Sequence, residues 1–466
     1  MRILIHGLNF APELVGVGKY TGEMAQWLAA QGHEVRAVTA PPFNPHWKVA
    51  DGFSPWRYVR EDWGCQSLQI AGNFPLTTPA AVAATPGSAA RHPDDRMSLP
   101  DAASVAVLLT EPEEGQCKIA AGHLQVFRCP VWVPQQPSAA KRILHLASFA
   151  LASFPAMLRH SFWKPDVVMV VEPTLFCLPA SWLAARMCGA KTWLHVQDFE
   201  ADAGFTLGLL RSTMLRRAIE WLEKKSMSAF CRVSTISEKM LAKLVQKGVS
   251  PSACLLFPNW VDTDAIYPLT RPSPMRAQLG ISPDDTVALY AGTMARKQGL
   301  EVMAEAARRL SGDGALRFVI CGEGPGKTAL AHLTGSLPNV QWIPLQPFER
   351  LNDLLNLADI HLLPQKADAA DLVMPSKLTG MLASGRPVVA TARSGTQLAQ
   401  AVEGRGIVVE PGNASAFARA IEQLARNRHA REKLGRSARD YAISELERES
   451  VLGRFERALL AFVSAA

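Results

Sequence analysis

Residues 2–39 read RILIHGLNFAPELVGVGKYTGEMAQWLAAQGHEVRAVT, and this stretch decides the fold. Residues 3–6 form an apolar run that predicts a strand, and a glycine-containing loop then leads into a helical pattern over residues 20–31. Gly32 ends that helix, and residues 34–39 have the apolar content of a second strand. Strand, loop, helix and strand in this order predict the first unit of a doubly wound parallel sheet.

The same alternation occurs in both halves of the chain, which residues 268–274, rich in Pro, Arg and Ser, separate. A chain of 466 residues is also too long for one ordinary core. We predict two α/β, Rossmann-like domains at 1–265 and 275–445 that face an interdomain cleft, with a helix at 446–466 packing back on the first. Further strands are predicted at 126–130, 166–171, 191–196, 232–236, 254–257, 286–291, 317–321, 340–343, 360–363, 387–391 and 407–409.

Residues 66–122 interrupt the alternation. Twelve of these 57 residues are Ala and six are Pro, and no period of 2 or 3.6 is sustained. Such a composition buries too little apolar surface to offset the entropy of ordering the chain. We predict a flexible insertion without a recognised counterpart, in which residues 105–109 could form one short strand.

The chain is basic, with a formal net charge of +7 and a pI near 9.0. This charge suits a nucleic acid, an anionic membrane or a phosphorylated ligand, and it also fits an ordinary solvated surface. No nucleic-acid-binding motif is present, which disfavours the first. The eight cysteines form no C-x-x-C pair, as expected of thiols in a reducing compartment. No apolar signal segment precedes the first strand, so we expect a cytoplasmic protein.

The apolar segment at 143–158 is too short to span a membrane, and basic residues flank it. This pattern fits an amphipathic helix at an anionic bilayer surface, with Leu and Phe side chains and Trp163 toward lipid. The alternative is a core helix of the first domain. The cations assigned to acceptor or membrane contact are Lys141, Arg142, Arg159 and Lys164.

The first segment that suits a phosphate contains Gly16, Gly18 and Lys19. Glycines let a ligand approach backbone amides, and the following helix places its positive dipole end there. The spacing is not G-x-G-x-x-G, which disfavours a dinucleotide site. An ordinary structural turn is the alternative.

Two further segments lie in the second half. Arg296 and Lys297 follow a strand that ends in glycine, where two cations suit a diphosphate leaving group. A solvated basic loop is the alternative. Ser376 and Lys377 open a helix whose first amides need a partner, either a phosphate or the Ser376 side chain as a cap.

His195 and Asp198 follow a buried strand of the first domain, with Glu200 and Asp202 just after them. A histidine and carboxylates at a strand end are candidates for acid–base chemistry or for contacts to substrate hydroxyls. Nothing in this segment demands a divalent metal, so we expect no metal and no cofactor.

Taken together, these segments resemble the GT-B glycosyltransferases of family 4, and within it the colanic acid (exopolysaccharide) biosynthesis transferases of the WcaI type. The likeness covers nearly the whole chain except residues 66–122. It rests on residues 16–28, 128–134, 195–198, 257–260, 298–301 and 371–382.

The resemblance implies a retaining, metal-free transfer of a sugar from a nucleotide carrier held mainly by the second domain. It assigns the donor diphosphate to Gly16, Gly18, Lys19, Arg296, Lys297, Ser376 and Lys377. It assigns the nucleotide pocket to Gly292, Glu323 and Gly324, and the transferred sugar and acceptor to His195 and Asp198. It also implies a GDP-linked sugar such as GDP-fucose, an undecaprenyl-diphosphate-linked glycan acceptor, and a peripheral location at the inner face of the cytoplasmic membrane.

The chain departs from the family in one respect. Family 4 enzymes usually carry two glutamates eight residues apart, and Leu372 and Gly380 stand at those positions here. Asp371 lies beside the first, and nothing replaces the second, which puts ribose recognition in doubt. The alternative function is therefore a non-catalytic sugar-nucleotide or glycan-binding component of an exopolysaccharide assembly complex.

Overall fold

The computed structural model describes residues 1–13, 16–64, 122–136, 138–172, 175–199, 213–295, 298–367 and 375–465. Within them the chain forms two parallel β-sheets, each covered by helices on both faces. Residues 66–121 of the expected insertion lie outside the described residues. They include the strand expected at 105–109.

The first domain has an eight-stranded sheet among the described residues. Its strands are β1 (Arg2–Gly7), β2 (Glu34–Thr39), β3 (Val59–Trp63), β4 (His123–Arg128), β5 (Val167–Glu172), β6 (Lys191–Val196), β7 (Arg232–Thr235) and β8 (Cys254–Leu256). They lie in the order β3-β4-β2-β1-β5-β6-β7-β8, and β3, which we did not predict, is antiparallel to its neighbour. The strand order reverses at β1, so the loops after β1 and β5 diverge and leave a crevice at the carboxyl edge.

The second domain has a six-stranded sheet in the described part of the chain. Its strands are β9 (Thr286–Ala291), β10 (Leu316–Cys321), β11 (Val340–Ile343), β12 (Ile360–Leu363), β13 (Val388–Thr391) and β14 (Gly406–Val409). All neighbours are parallel, in the order β11-β10-β9-β12-β13-β14. Here the order reverses between β9 and β12, which places a second crevice at that carboxyl edge.

The helices alternate with the strands, as the sequence predicts. In the first domain they are α1 (Gly16–Ala30), α2 (Ala139–Ser161), α3 (Leu178–Cys188), α4 (Thr213–Ser228) and α5 (Glu238–Gln246). They continue with α6 (Met275–Gln278), α7 (Leu300–Arg309), α8 (Lys327–Thr334), α9 (Leu351–Leu355), α10 (Lys377–Ala383), α11 (Gln397–Val402), α12 (Ala414–Ala425), α13 (Arg428–Glu445) and α14 (Arg448–Ser464). Helix α1 begins at Gly16, four residues before the predicted start. Its first turn contains Gly18, where a Cβ would contact the Glu13 side chain.

The strands of the first sheet are apolar because helices cover both faces. Every residue of β5 is buried, which explains its continuous apolar run. Phe149 and Met157 of α2 pack on one face. Met24 of α1 and Phe455 of α14 pack on the other. The C-terminal helix α14 therefore completes the core of the first domain.

The chain crosses between the domains at two neighbouring points. Val261 leaves the first domain, and its N–H donates to Leu446 O over 2.8 Å. Arg448 N donates back to Val261 O over 3.0 Å as the chain returns into α14. Beyond the first crossing, the N–H of Leu269 donates to Asn356 Oδ1 over 2.9 Å, which fastens the linker to the second domain.

Phe455 is the residue through which α14 is expected to contribute most stability. Its ring lies 4.1 Å from that of Phe257 and nearly parallel to it, and Trp193 packs edge-on at 5.3 Å. We expect F455A to lower the free energy of unfolding by about 3–5 kcal/mol, because it leaves a cavity in a closed core. Urea unfolding followed by tryptophan fluorescence measures this, with L460A, at an exposed position of α14, as the control. Equal effects of the two substitutions would contradict the packing of α14 on this core.

Candidate active site

The first residues of α1 and α10 meet across the cleft between the domains. Burial raises the pKa of Tyr20 on α1 and the Thr379 side chain on α10 acts to lower it, so these two buried side chains lie next to each other. Thr379 Oγ1 itself donates to Ser376 O over 2.9 Å. Since α1 follows β1 and α10 lies between β12 and β13, the two carboxyl edges face each other here. The structure thus brings the glycine-rich start of α1 close to Ser376 and Lys377.

Lys377 places an ammonium group in this cleft without a counter-charge among the described residues. Its Nζ lies 4.3 Å from the centre of the Tyr290 ring and donates to Gln298 Oε1 over 3.3 Å. No carboxylate of the described residues forms an ion pair with it. Burial alone lowers the pKa of Lys377 to about 7. An anionic ligand at this point would raise the pKa of Lys377, so that its amine keeps its proton, and would provide a counter-charge.

Gly292 and Gly324 allow the loops after β9 and β10 to lie against each other beside Lys377. A Cβ on Gly292 would come within 3.1 Å of the Lys377 side chain, and one on Gly324 within 2.7 Å of Met294 O. Met294 N donates to Glu323 O over 2.7 Å and holds the two loops together. The structure therefore gathers the predicted nucleotide-pocket residues at one strand edge, where the Glu323 carboxylate pairs with Lys327.

The three residues predicted in the first glycine loop differ in their surroundings. Gly16 has a φ of +63°, and a Cβ there would meet open space. A Cβ on Gly18 would lie 2.4 Å from a carboxylate oxygen of Glu13. Lys19 Nζ lies 3.7 Å from Glu23 Oε1. Burial acts to lower the pKa of Lys19, but Glu23, Tyr20 and Asp262 together outweigh it, and the net pKa is raised. Lys19 is thus already paired in this arrangement.

Glu13 is a buried carboxylate that the sequence analysis missed. Its Oε1 accepts from the N–H groups of Phe43 and Asn44, each over 3.0 Å, and its Oε2 accepts from Asn9 over 2.9 Å. Burial raises its pKa, against the effect of these bonds. Glu13 ties the glycine-rich start of α1 to the loop after β2. Nothing in the APELVGVG stretch distinguishes it from a solvated loop acid.

His195 is buried at the carboxyl end of β6, with both ring nitrogens engaged. Gln197 Nε2 donates to its Nε2 over 2.9 Å, so the proton is on Nδ1, which donates to Ser234 Oγ over 2.9 Å. Burial lowers the pKa of His195 to about 3. The imidazole is therefore neutral and orients Gln197. Asp198 follows one residue later and is partly exposed. Their contacts to sugar and acceptor stay predictions.

Asn259 is a second residue that the sequence analysis did not assign to the site. It is buried, and its Oδ1 has no hydrogen-bond partner among the described residues. With Ser237 of the first domain and Ser376 of the second, it lines a cleft of about 980 Å³. The available signal was a lone amide between apolar residues just after the last strand of the first half, in the FPNW stretch.

Several predicted positions cannot be placed. Arg296 and Lys297 lie outside the described residues, as do Asp371 and Leu372. Gly380 is described and lies within α10, where it offers no carboxylate. A Cβ there would come within 3.3 Å of a Leu355 methyl group. The position of the second family glutamate is thus occupied by a glycine within a packed helix.

The four cations assigned to acceptor or membrane contact are exposed around α2. Arg142 lies over the Trp47 ring at 5.1 Å. The expectation that Trp163 faces lipid is wrong. Its ring is partly buried, and the Arg36 guanidinium lies over it at 4.1 Å. The neighbouring Phe162 is the exposed aromatic instead. No helix in the described part of the chain is long and apolar enough to span a bilayer.

Comparison with known proteins gives the family. Residues 273–441 match the family described as Glycosyl transferases group 1, and residues 98–260 match the Glycosyl transferase 4-like domain. The chain is 38% identical over 466 residues to the colanic acid biosynthesis glycosyl transferase WcaI of Escherichia coli (strain K12), and the alignment covers 98% of each chain. This chain is a family 4 glycosyltransferase. The assignment as an enzyme is confirmed, which disfavours the non-catalytic alternative.

Solved structures confirm the GT-B fold of the transferase. The sucrose-phosphate synthase of Thermosynechococcus elongatus matches with a TM-score of 0.68 and 16% identity over 100% of both chains. Alr3699/HepE of Anabaena, in complex with UDP and glucose, matches with a TM-score of 0.62 and 12% identity over 99% of this chain and 100% of its own. These likenesses support the two-domain architecture predicted from the sequence.

The family 4-like match begins at residue 98 and so includes the last part of the segment 66–122 of the transferase. For residues 66–97 the absence of a counterpart in the family stays a prediction. Among the described residues no group of three or more His, Cys, Asp or Glu side chains could hold a metal ion. The metal-free mechanism stays a prediction.

The lowered pKa of Lys377 predicts how the stability of the transferase varies with pH. The unfolded chain binds this proton up to its ordinary pKa, whereas the native state releases it at about 7. Between these pKa values the unfolded state binds more protons, so native stability rises with pH. We expect the thermal midpoint of K377M to exceed that of the unsubstituted protein most at about pH 6, with the gap closing toward about pH 9.

Differential scanning fluorimetry across that pH range measures the gap. K239M, which removes an exposed lysine, is the matched control and should give no pH-dependent difference. A constant gap for K377M would contradict a half-buried amine that has no carboxylate partner among the described residues.

Proposed function

We propose that this glycosyltransferase moves a sugar, with retention of configuration, from a nucleoside diphosphate sugar to a lipid-linked glycan acceptor in exopolysaccharide biosynthesis. The observation that carries the donor assignment is the half-buried Lys377 ammonium in the interdomain cleft, which has no described carboxylate partner. The name of the WcaI relative supports a colanic acid-like product. The neighbour solved with UDP and glucose supports the donor class.

The diphosphate is the group that the site must stabilise. Transfer breaks the bond between the sugar C1 and the diphosphate oxygen and forms a bond from C1 to an acceptor hydroxyl oxygen. The hydroxyl proton goes to the departing diphosphate, on which negative charge accumulates. Lys377 neutralises this charge in a partly desolvated site, where the interaction is stronger than in water. The proposal gives the same task to Arg296, Lys297 and Ser376.

The opposite wall of the cleft orients the sugar and the acceptor. His195 is neutral and fixed between Ser234 and Gln197, so we assign it a positioning role toward the polar groups at the end of β6. Asp198 is the carboxylate at this edge that we assign to a sugar or acceptor hydroxyl. The unpartnered Asn259 Oδ1 can accept from a further hydroxyl.

The donor base is assigned through the relatives. The likeness to the colanic acid transferases favours GDP, and GDP-fucose is the first donor to test. The pocket residues Gly292, Glu323 and Gly324 present backbone at the strand ends, where a nucleotide can approach closely. Gly380 supplies no carboxylate for the ribose, so the proposal assigns ribose recognition to no acidic side chain of α10.

An exposed apolar face on the first domain supports a lipid-linked acceptor. Helices α2 and α3 pack side by side on the same face of the sheet. Leu151 is 76% exposed on α2, Phe162 is 80% exposed just after it, and Trp182 and Met187 are exposed on α3. A soluble surface rarely exposes so many large apolar side chains together. The proposal places this face on a bilayer.

The cations around the same face favour an anionic bilayer. Lys141 and Arg142 lie at the first turn of α2, near the cleft, and Arg159 and Lys164 lie at the far end. Each basic residue near an anionic surface contributes about 1 kcal/mol. When the enzyme is bound in this way at the inner face of the cytoplasmic membrane, its cleft would reach an undecaprenyl-diphosphate-linked glycan held in the lipid.

The donor assignment predicts that K377M loses transfer activity. We expect kcat with GDP-fucose and a lipid-linked acceptor to fall by about 100-fold or more, because one preorganised charge on the leaving group is removed. Transfer of radiolabelled sugar into the lipid fraction measures this. K239M should transfer at the unsubstituted rate. An unchanged kcat in K377M would exclude Lys377 from the diphosphate site, and an inverted anomeric centre in the product would exclude retention.

The membrane assignment predicts that L151E/F162E no longer binds anionic vesicles. The substitutions remove two apolar side chains that would contact the lipid acyl chains, and they place two negative charges against the headgroups. We expect at least about tenfold weaker co-sedimentation with phosphatidylglycerol vesicles, and intact binding by L345E, which changes an exposed leucine of the second domain. Equal binding by both variants would remove this face from the proposal.

A further inference from the structure

A further cavity lies in the second domain, at the edge of the sheet opposite the cleft. Asp359 immediately precedes β12, and Arg386 lies two residues before β13, so the cavity opens at the amino ends of these strands. The linker and α13 form its other walls, and its volume is about 740 Å³. Lys377, at the carboxyl edge, does not line it.

The lining of this cavity is unusually rich in arginine. Seven arginine and five acidic side chains line it in the described part of the chain. Arg276 pairs with Asp359 and also donates to two backbone carbonyls. Arg439 donates to three carbonyls, two in the linker and one at the end of α10, and Arg431 donates to two at the end of α12. These arginines already have the acceptors that explain their positions.

Arg386 does not. It is partly buried, its Nε is inaccessible to solvent, and none of its N–H groups donates to a described residue. Burial lowers its pKa, Arg276 and Arg431 lower it further, and Asp359 opposes them. Asp359 Oδ2 already accepts from Arg276 and, over 2.8 Å, from Val287 N. Arg276, Arg386 and Arg431 therefore all lie near Asp359, and with seven arginines against five acidic residues the described lining has an excess of positive charge.

We propose that this cavity binds the phosphate group of a small phosphorylated metabolite. A guanidinium group donates two parallel hydrogen bonds to a phosphate, which the terminal Nη1 and Nη2 groups of Arg386 can supply. The volume is in the range of about 300–1,000 Å³ typical of small-molecule sites, so it holds more than a bare ion. The exposed Arg271 and Arg436 at the rim meet the rest of the ligand. The inference does not depend on the proposed donor or acceptor.

Thermal midpoints in inorganic phosphate and in glucose 1-phosphate, at ionic strength held constant with sodium chloride, test the proposal. We expect a rise of about 3 °C at a ligand concentration near ten times Kd, since binding to the native state alone raises the midpoint. The rise should be lost in R386Q and kept in R419Q, which removes an exposed arginine on α12. It should also persist in K377M, which separates this cavity from the cleft.

Two further measurements keep the test decisive. R386Q removes a half-buried charge without an acceptor, so its midpoint in chloride alone should equal or exceed that of the unsubstituted protein. R386K keeps the charge without the planar fork, and isothermal titration should show about tenfold weaker binding of glucose 1-phosphate to it. The same rise in R386Q as in R419Q would overturn the site. Loss of the rise in K377M alone would place the anion in the cleft. A response confined to phosphatidylglycerol vesicles would replace the metabolite by a lipid headgroup.

Discussion

The two crossings of the chain between the domains are hydrogen-bonded to each other, and the rest of the structure depends on this constraint. Val261 exchanges two backbone bonds with Leu446 and Arg448, so both domains hinge about one point. The return crossing carries α14 onto the first domain, where Phe455 stacks on Phe257. These joined crossings hold the domains in an arrangement in which the two carboxyl edges face each other. The cleft follows from this connection.

The cleft gives Lys377 its chemistry. An ammonium among a tyrosine ring, a glutamine and glycine backbone is poorly solvated, and no described side chain neutralises it. Such a charge reduces the stability of the enzyme. In the proposed function, a bound diphosphate would remove that cost. Tyr20 of the first domain lies next to Thr379 of the second at the same point.

Much of the fold could be predicted from the sequence, because parallel strands buried on both faces leave continuous apolar runs separated by helices. Every strand predicted within the described residues is present, with boundaries shifted by a few residues. The antiparallel β3 was missed because its VREDW sequence is polar and its pairing is a long-range choice. The start of α1 was placed too late, since glycines that normally weaken a helix are required there by the packing of Glu13 against Gly18.

The sequence by itself determined the two Rossmann-like units, the glycine-rich strand ends and the Ser376–Lys377 helix start, because these depend on local spacing and residue type. Only the tertiary structure decided which charges have partners. Among the described residues it paired Lys19 with Glu23, left Lys377 without a carboxylate and Arg386 without an acceptor, and buried His195 as a neutral group. The physical reason is that solvation and counter-charges come from residues remote in the chain. No local pattern contains that information, and both proposed anion sites depend on it.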